Sequence, residues 1–288
     1  MPELPEVETV RRGLEKLILG KRILEVEILN SKSFEYVNST ERDLLRTEIS
    51  DLGRRGKVLI IGLSNGFSMI VHLKMTGQVV VRGRESFAAG HPTDSFMAEL
   101  PDRSTRIIFE LEDDMKLFFN DQRKFGWIKL MPTGEVMKIP FLHKMGPEPW
   151  DKRAEEQFIA NVRRHQNSMI KPAILDQSVM AGIGNIYADE SLWMVKVHPE
   201  QRVKDISDKK LGEICSTAGE IMQKSIESGG STMKTYVKAD GTKGNYLERF
   251  ANVFRRDELP CPRCQVTIIK LKVAGRSTHI CPECQRLN

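Results

Sequence analysis

The 288-residue chain carries 44 Lys and Arg against 39 Asp and Glu, a formal net charge of +5, with 40% hydrophobic and 29% charged residues. No run approaches the ~18 apolar residues of a membrane span, and the chain is long enough to bury one or two cores, so the composition is that of a globular protein without membrane segments. The mild basicity permits a nucleic-acid partner without demanding one.

The chain opens Met1-Pro2-Glu3-Leu4-Pro5-Glu6. Removal of Met1 would leave Pro2 with a terminal secondary amine of pKa near ~8, partly neutral and nucleophilic at neutral pH. Attack of such an amine on a carbonyl-like carbon gives an iminium, an electron sink. Glu3 and Glu6 lie within one turn and are suited to proton transfer. The same residues also suit an ordinary helix start, with proline in the first turn and carboxylates favoured by the dipole. No apolar stretch follows that would read as a secretory signal, so a cytoplasmic location is expected.

Glu3 to Ile18 reads as a helix, with Val7, Val10, Leu14 and Leu17 on one face. Strand-like runs follow at Ile23–Leu29, Lys57–Leu63, Phe67–Leu73, Val79–Arg82, Arg106–Leu111, Lys116–Phe119 and Trp127–Leu130, separated by turn signals such as Ser64-Asn65-Gly66. They predict an antiparallel sandwich or barrel. A polar stretch between Arg82 and Arg106 reads as a long loop, and Gly146-Pro147-Glu148-Pro149 as a linker. Helical spacing then runs through Glu155–Arg164, Ile170–Gln177, Tyr187–Met194 and Asp208–Ser228, the last closed by Gly229-Gly230.

Ala181-Gly182-Ile183-Gly184-Asn185 places a glycine-rich turn before a helix, where backbone N–H groups and the Asn185 side chain can bind a phosphate. A dinucleotide fingerprint does not fit, because the third glycine is absent and no strand precedes the turn. A plain turn between packed helices is the alternative. Lys171, before Pro172, is a second positive group nearby in sequence. In the tail, Cys261-Pro-Arg-Cys264 and Cys281-Pro-Glu-Cys284 have the spacing of a tetrahedral Zn²⁺ site, one closed and therefore structural ion. The alternating segment between them turns at Ala274-Gly275, which describes a β-hairpin zinc finger with Arg276 near its tip. Cys215 stands alone in a helical segment and reads as a small buried apolar residue.

Together these features resemble the bacterial formamidopyrimidine-DNA glycosylase family of oxidised-base repair enzymes. The likeness is carried by Pro2-Glu3-Leu4-Pro5-Glu6-Val7-Glu8-Thr9, Arg54-Arg55-Gly56-Lys57, His72-Leu73-Lys74-Met75-Thr76-Gly77, Asp121-Gln122-Arg123-Lys124-Phe125-Gly126, Gly146–Pro149, Gly182–Glu190, Ala239-Asp240-Gly241 and the finger with Gly275-Arg276, in family order. The related endonuclease VIII branch, specific for oxidised pyrimidines, usually has Gly at the position of Leu4. The resemblance implies an α+β protein of two domains. The first is an N-terminal helix with an antiparallel β-sandwich (residues 1–131); after a linker (132–150), the second joins a helix-two-turn-helix region (151–249) to a C-terminal zinc finger (250–288).

It also implies roles. Pro2 would attack C1′ of the damaged nucleotide and form a Schiff base. Glu3 would shuttle protons at the sugar, with Glu6 in support. Lys57 would contact a flanking phosphate and assist β-elimination; Arg276 would clamp phosphate and serve δ-elimination. His72, Lys171 and Asn185 would bind DNA, while Met75, Arg123 and Phe125 would fill the gap left by the everted base. The implied partner is duplex DNA with oxidised purines or abasic sites, the cofactor one Zn²⁺ on Cys261, Cys264, Cys281 and Cys284. The implied setting is a monomer on the bacterial nucleoid. The stretch between Gly77 and Arg123 is about a dozen residues longer than the family norm, as loops tolerate. Arg103-Ser104-Thr105-Arg106 stands where the family commonly has Lys-His-x-His, so two arginines keep the charge there. A pyrimidine-specific glycosylase and a catalytically silent lesion-binding module are the competing readings. Pro2 with both glutamates weighs against the silent one.

Overall fold

The computed structural model describes residues 2–91, 94–230 and 249–287; the Ala239-Asp240-Gly241 motif lies outside them. The chain divides into two compact units, residues 1–143 with 228–245, and residues 144–227 with 246–288.

The first unit begins with α1 (Leu4–Ile18). Leu4, Val7, Val10, Leu14 and Ile18 are fully buried on one face, and Leu17 is only partly so. Two five-stranded sheets follow. The first has the order β1 (Ile23–Ile28), β8 (Thr105–Leu111), β9 (Met115–Asp121), β6 (Gly77–Arg82), β7 (Phe87–Gly90). The second runs β2 (Phe34–Tyr36), β10 (Trp127–Pro132), β5 (Phe67–His72), β4 (Val58–Leu63), β3 (Ile49–Arg55). All pairs are antiparallel except β2 with β10. Alternating residues of both sheets, such as Leu59, Ile61, Val71, Val79, Phe109, Phe119 and Ile128, share one core with α1. The expected antiparallel sandwich is therefore present.

The stretch between Arg82 and Arg106, expected as a loop, contains β7 and a short 3-10 turn at Asp94–Phe96. Phe96 and Leu100 cover Val80, Ile108 and Phe118 on the outer face of the first sheet. Ser95 and Ser104 both donate to Asp102, which ties the segment to itself. Phe87 of β7 lies where a side chain at Gly13 of α1 would have to be, so the segment also packs on the N-terminal helix. A final short helix, α2 (Pro140–His143), ends the unit's first run of chain.

The second unit is helical, with α3 (Ala154–Val162), α4 (Ile170–Leu175), α5 (Asn185–Met194) and α6 (Asp208–Glu227), then the hairpin β11 (Ile269–Val273) and β12 (Arg276–Ile280). Gly146–Glu148 is buried here: the Gly146 N–H donates to the Gln177 carbonyl, and the Pro147 carbonyl accepts from Ala181. Within the hairpin, Ala274 and Gly275 both have positive φ, +46° and +80°, as a two-residue type I′ turn requires. No helix among the described residues is long and apolar enough to cross a membrane.

Candidate active site and metal centre

In the first unit Pro2 is buried at the head of α1, and Glu3 and Glu6 are each 3% exposed. Glu3 is the N-cap. Its backbone N–H donates to Glu6 Oε2 at 2.8 Å while its carboxylate accepts from the Glu6 N–H, a reciprocal capping box. The helix start and the reactive-amine reading thus coincide: the box that caps α1 also fixes two carboxylates beside Pro2. Gly230, at φ +88°, lies against Glu6 and Thr9 of the same helix.

One turn further, Glu8 accepts from Arg11, Arg12 and Arg54. Burial pushes its carboxyl up, but these guanidinium groups outweigh it and hold it below the usual range. Arg54 also donates to the Gly56 carbonyl at 3.1 Å. A charged link therefore runs from α1 to the turn that carries Lys57, which is 8% exposed. Sequence reading singled out the Arg54–Lys57 motif but not the tie to Glu8, which is 46 residues from Arg54.

His72 pairs with Val58 and Trp127 in the second sheet and sits among Trp127 and Phe141, ring centroids 5.7 and 6.5 Å away. Its Nδ1 accepts from the Lys74 N–H at 3.0 Å, leaving Nε2 to carry the proton as a neutral donor. Burial, then Lys74 and Lys57, lower its pKa from 6.5 to about 3. Between those values the unfolded chain binds the extra proton. Stability from this group is complete above pH 6.5 and is lost as pH falls toward 3, by at most ~1.4 kcal/mol per pH unit. His72→Gln should flatten that part of a urea-denaturation stability curve; an unchanged curve would contradict the desolvated setting. DNA binding should show no His72 step near pH 6.5.

Two tight loops project apolar side chains. The Leu73–Gly77 loop closes with the Gly77 N–H on the Leu73 carbonyl at 2.8 Å, and no side chain fits at Gly77. Met75, at its tip, is 39% exposed. In the second loop Phe125 is 53% exposed, with the Arg123 guanidinium 4.9 Å from its ring centroid. Neither Met75 nor Phe125 is core, although sequence alone favours core packing for such residues. The Asp121 carboxylate, fully buried, lies between the loops. It accepts from the Thr76 hydroxyl, from the Arg123 N–H at 3.2 Å and from the Gly126 N–H at 2.6 Å. Of the two arginines standing in for the family's histidines, Arg106 is 8% exposed, and its Nε donates to the Asp121 carbonyl. Its charge is committed inside the fold.

In the second unit Gln177 staples the glycine-rich turn, donating to the Ile183 carbonyl and accepting from the Gly182 N–H. N-cap Gly184 has no side chain to occupy the α5 terminus. Asn185 Nδ2 donates to the Ser277 carbonyl of the hairpin at 2.8 Å; its second amide hydrogen remains for another acceptor. Lys171 differs from the expectation of a phosphate ligand. It is 0% exposed, its Nζ 2.6 Å from Asp189 Oδ1, and it donates to the Ser277 carbonyl and the Thr278 hydroxyl. A lysine on a short helix before a glycine-rich turn has the sequence signature of a surface cation; the buried partner, Asp189, is what reverses it. Asp189 also accepts from the His279 N–H, and Glu190 accepts from the N–H groups of Asn252, Val253 and Phe254. Adjacent buried carboxylates in one helix thus hold both ends of the finger. Arg276 opens β12 and is exposed; its carbonyl accepts from the Thr278 hydroxyl at 3.1 Å, while its guanidinium makes no hydrogen bond or ion pair to a described residue.

The four finger sulfurs all lie within 4.8 Å of one another, with Cys264–Cys281 at 3.3 Å and Cys261–Cys284 at 3.9 Å. These are too long for disulfides and bracket the ~3.8 Å edge of a tetrahedral ZnS₄ unit. Backbone N–H groups of Arg263 and Cys284 point at the sulfurs of Cys261 and Cys281. The donor set and geometry fit one structural Zn²⁺. Arg263 stacks 4.0 Å over Trp193 and donates to the last carbonyls of α5, which seats the finger on that helix. Cys215, on α6, is 2% exposed, and burial with Glu155 pushes its thiol up to about 12, so it is inert and outside the metal centre.

Comparison with known proteins gives three family models in order along the chain: formamidopyrimidine-DNA glycosylase N-terminal domain over residues 1–128, its H2TH domain over 145–237, and the zinc finger found in FPG and IleRS over 258–287. Formamidopyrimidine-DNA glycosylases of Pelotomaculum thermopropionicum and Pediococcus pentosaceus are 38% and 39% identical, each alignment covering 100% of both chains. Lactococcus lactis Fpg, solved with DNA containing an abasic site, matches with TM-score 0.84 and 34% identity over 99% of each chain. The same protein has been solved with N7-benzyl-Fapy-dG DNA and with oxidised-pyrimidine DNA. A buried proline beside two fixed glutamates, two loops with exposed apolar tips and a seated Cys₄ finger agree with these matches, and the chain belongs to the formamidopyrimidine-DNA glycosylase family.

Proposed function

We propose that this protein excises oxidised purines from duplex DNA in the bacterial nucleoid and then cuts the abasic strand, with Pro2 as nucleophile. The observation that carries this reading is the capping box that fixes Glu3 and Glu6 beside the buried Pro2. The Pro2 nitrogen attacks C1′, the C1′–N bond breaks, and the bonding pair leaves with the base, which takes up a proton. Glu3 supplies protons at the sugar and Glu6 holds it in place. Opening of the sugar ring leaves a Pro2–C1′ iminium. Loss of a C2′ proton into that sink expels the 3′ phosphate, a second elimination expels the 5′ phosphate, and hydrolysis returns Pro2. Lys57 and His72 hold the flanking phosphate, His72 as a neutral donor. Arg276 and Asn185 bind phosphate from the second unit, and Lys171 acts through the hairpin that carries Arg276. Met75, Arg123 and Phe125 occupy the space of the everted nucleotide, which lowers the few kcal/mol cost of unstacking. The zinc ion supplies rigidity and takes no part in bond making.

The Lactococcus complex with an oxidised pyrimidine favours some breadth toward that class, so the released base decides between branches. Single-turnover assays should release 8-oxoguanine opposite cytosine at least about tenfold faster than thymine glycol, ~1.4 kcal/mol in barrier. The reverse order would place the activity with the pyrimidine branch, and release of neither base would leave only a lesion-binding protein.

A further inference from the structure

Met75 and the Arg123–Phe125 pair lie on loops 48 to 50 residues apart in sequence. They must enter the duplex together for the gap left by one nucleotide to be filled. The two loops meet on one buried group. Asp121 Oδ1 accepts from the Thr76 hydroxyl and from the Arg123 N–H, and Oδ2 accepts from the Gly126 N–H. The Thr76 oxygen, having donated its hydrogen to Asp121, accepts from the same Arg123 N–H at 3.1 Å. Thr76 directly follows Met75, while Arg123 and Gly126 bracket Phe125.

Backbone geometry makes the linkage stiff. Lys74 and Lys124, one in each loop, hold positive φ of +51° and +60°. No side chain fits at Gly77 or Gly126; at Gly126 it would meet Phe119, Asp121 and the His72 carbonyl. From below, Arg106 holds the Asp121 carbonyl at 2.9 Å, and Gly77 pairs with Asp121 between β6 and β9. Asp121 and Thr76 are buried, whereas the Met75 and Phe125 tips are exposed. They set where the tips stand.

We infer that Asp121 and Thr76 are positioning residues that lock the two wedge loops into one unit, so that Met75, Arg123 and Phe125 insert together and opposite-base selectivity depends on this buried clasp. The inference rests on the wedge role proposed above. A carboxylate here, and not an amide, is required, because three N–H or O–H donors converge on it and an amide nitrogen would face one of them.

The test compares Thr76→Val, which removes the hydroxyl at nearly constant volume, Thr76→Ser, which restores it, and Asp121→Asn. Stopped-flow fluorescence of 2-aminopurine beside a tetrahydrofuran abasic analogue reads wedge insertion whatever base the enzyme releases. Single-turnover cleavage of 8-oxoguanine opposite cytosine, 8-oxoguanine opposite adenine, and a preformed abasic site reads the consequence. Thr76→Val and Asp121→Asn should slow insertion and 8-oxoguanine release tenfold or more, with much smaller losses on the abasic site. They should compress the cytosine-over-adenine preference, and Thr76→Ser should recover most of both. If Asp121→Asn fails to fold, Thr76→Val carries the test. Parental insertion rate and parental opposite-base preference in Thr76→Val, whatever its melting temperature, would overturn the inference. Failure of the parent protein to release 8-oxoguanine while its wedge still inserts would instead defeat the proposed substrate and leave the clasp to be judged on insertion alone.

Discussion

Protein that retains Met1 should lose borohydride-trapped complex and strand cleavage on abasic DNA by on the order of 10³-fold or more, ~4 kcal/mol of barrier. The reason is steric and electronic. With Met1 attached, the Pro2 nitrogen is a tertiary amide with no basic lone pair. Pro2→Gly, processed to a terminal glycine, should keep part of the lyase activity, since a primary amine also forms an imine. Glu3→Gln should depress base release more than trapping on a preformed abasic site, because protonation at the sugar is needed chiefly while the base leaves. The same capping box makes a stability side effect of Glu3→Gln small, as an amide oxygen still caps the Glu6 N–H.

The second large effect concerns the finger. A two-stranded hairpin is marginal alone. Here it packs through a small buried cluster of Trp193, Val253, Cys261, Ile268 and Cys281, two members of which are metal ligands. Structural zinc contributes about 10 kcal/mol or more to folding of such units. Cys261→Ser with Cys264→Ser, or removal of zinc by a chelator, should therefore unfold the hairpin and weaken DNA binding by about 10²-fold or more, while the thermal transition of the sandwich unit stays in place. Metal content should be one zinc per chain before treatment. Salt dependence separates the hairpin's residues. Arg276→Ala should lower the slope of log K against log salt by about 0.9, one phosphate's worth. Lys171→Met, which breaks a buried ion pair, should lower affinity and finger stability with a slope change well below that. A full one-phosphate change for Lys171→Met would return it to the DNA surface.

Much of the architecture was legible in the sequence where local patterns are strong. The helix of Leu4–Ile18, the central strands with their Val/Ile/Phe runs, the Cys spacing and the Ala274-Gly275 turn follow from periodicity and turn chemistry. The three strands that patterning missed, β2, β3 and β7, are all sheet edges. Ile49–Arg55 carries polar residues on a partly exposed edge, and Phe87–Gly90, though largely buried, carries Ala and Gly in place of β-branched residues. The site was legible as a set of residue types in family order. Its organisation was not, because the organising contacts are long in sequence: Glu8 with Arg54, Thr76 with Asp121, Lys171 with Asp189 and Thr278. Charge burial in particular leaves no local signal. Lys171 and Arg106 read as surface cations, and each proves to be a buried tie.

Mass spectrometry of the borohydride-trapped complex tests whether the amine of Pro2 bonds to C1′ of the damaged nucleotide. The protein, shown by intact mass to lack Met1, is trapped on an 8-oxoguanine duplex, digested, and the peptide carrying the reduced sugar is sequenced. The adduct should lie on the N-terminal peptide, at the Pro2 nitrogen. An adduct on a lysine, Lys57 included, with the N-terminal peptide recovered unmodified, would contradict it.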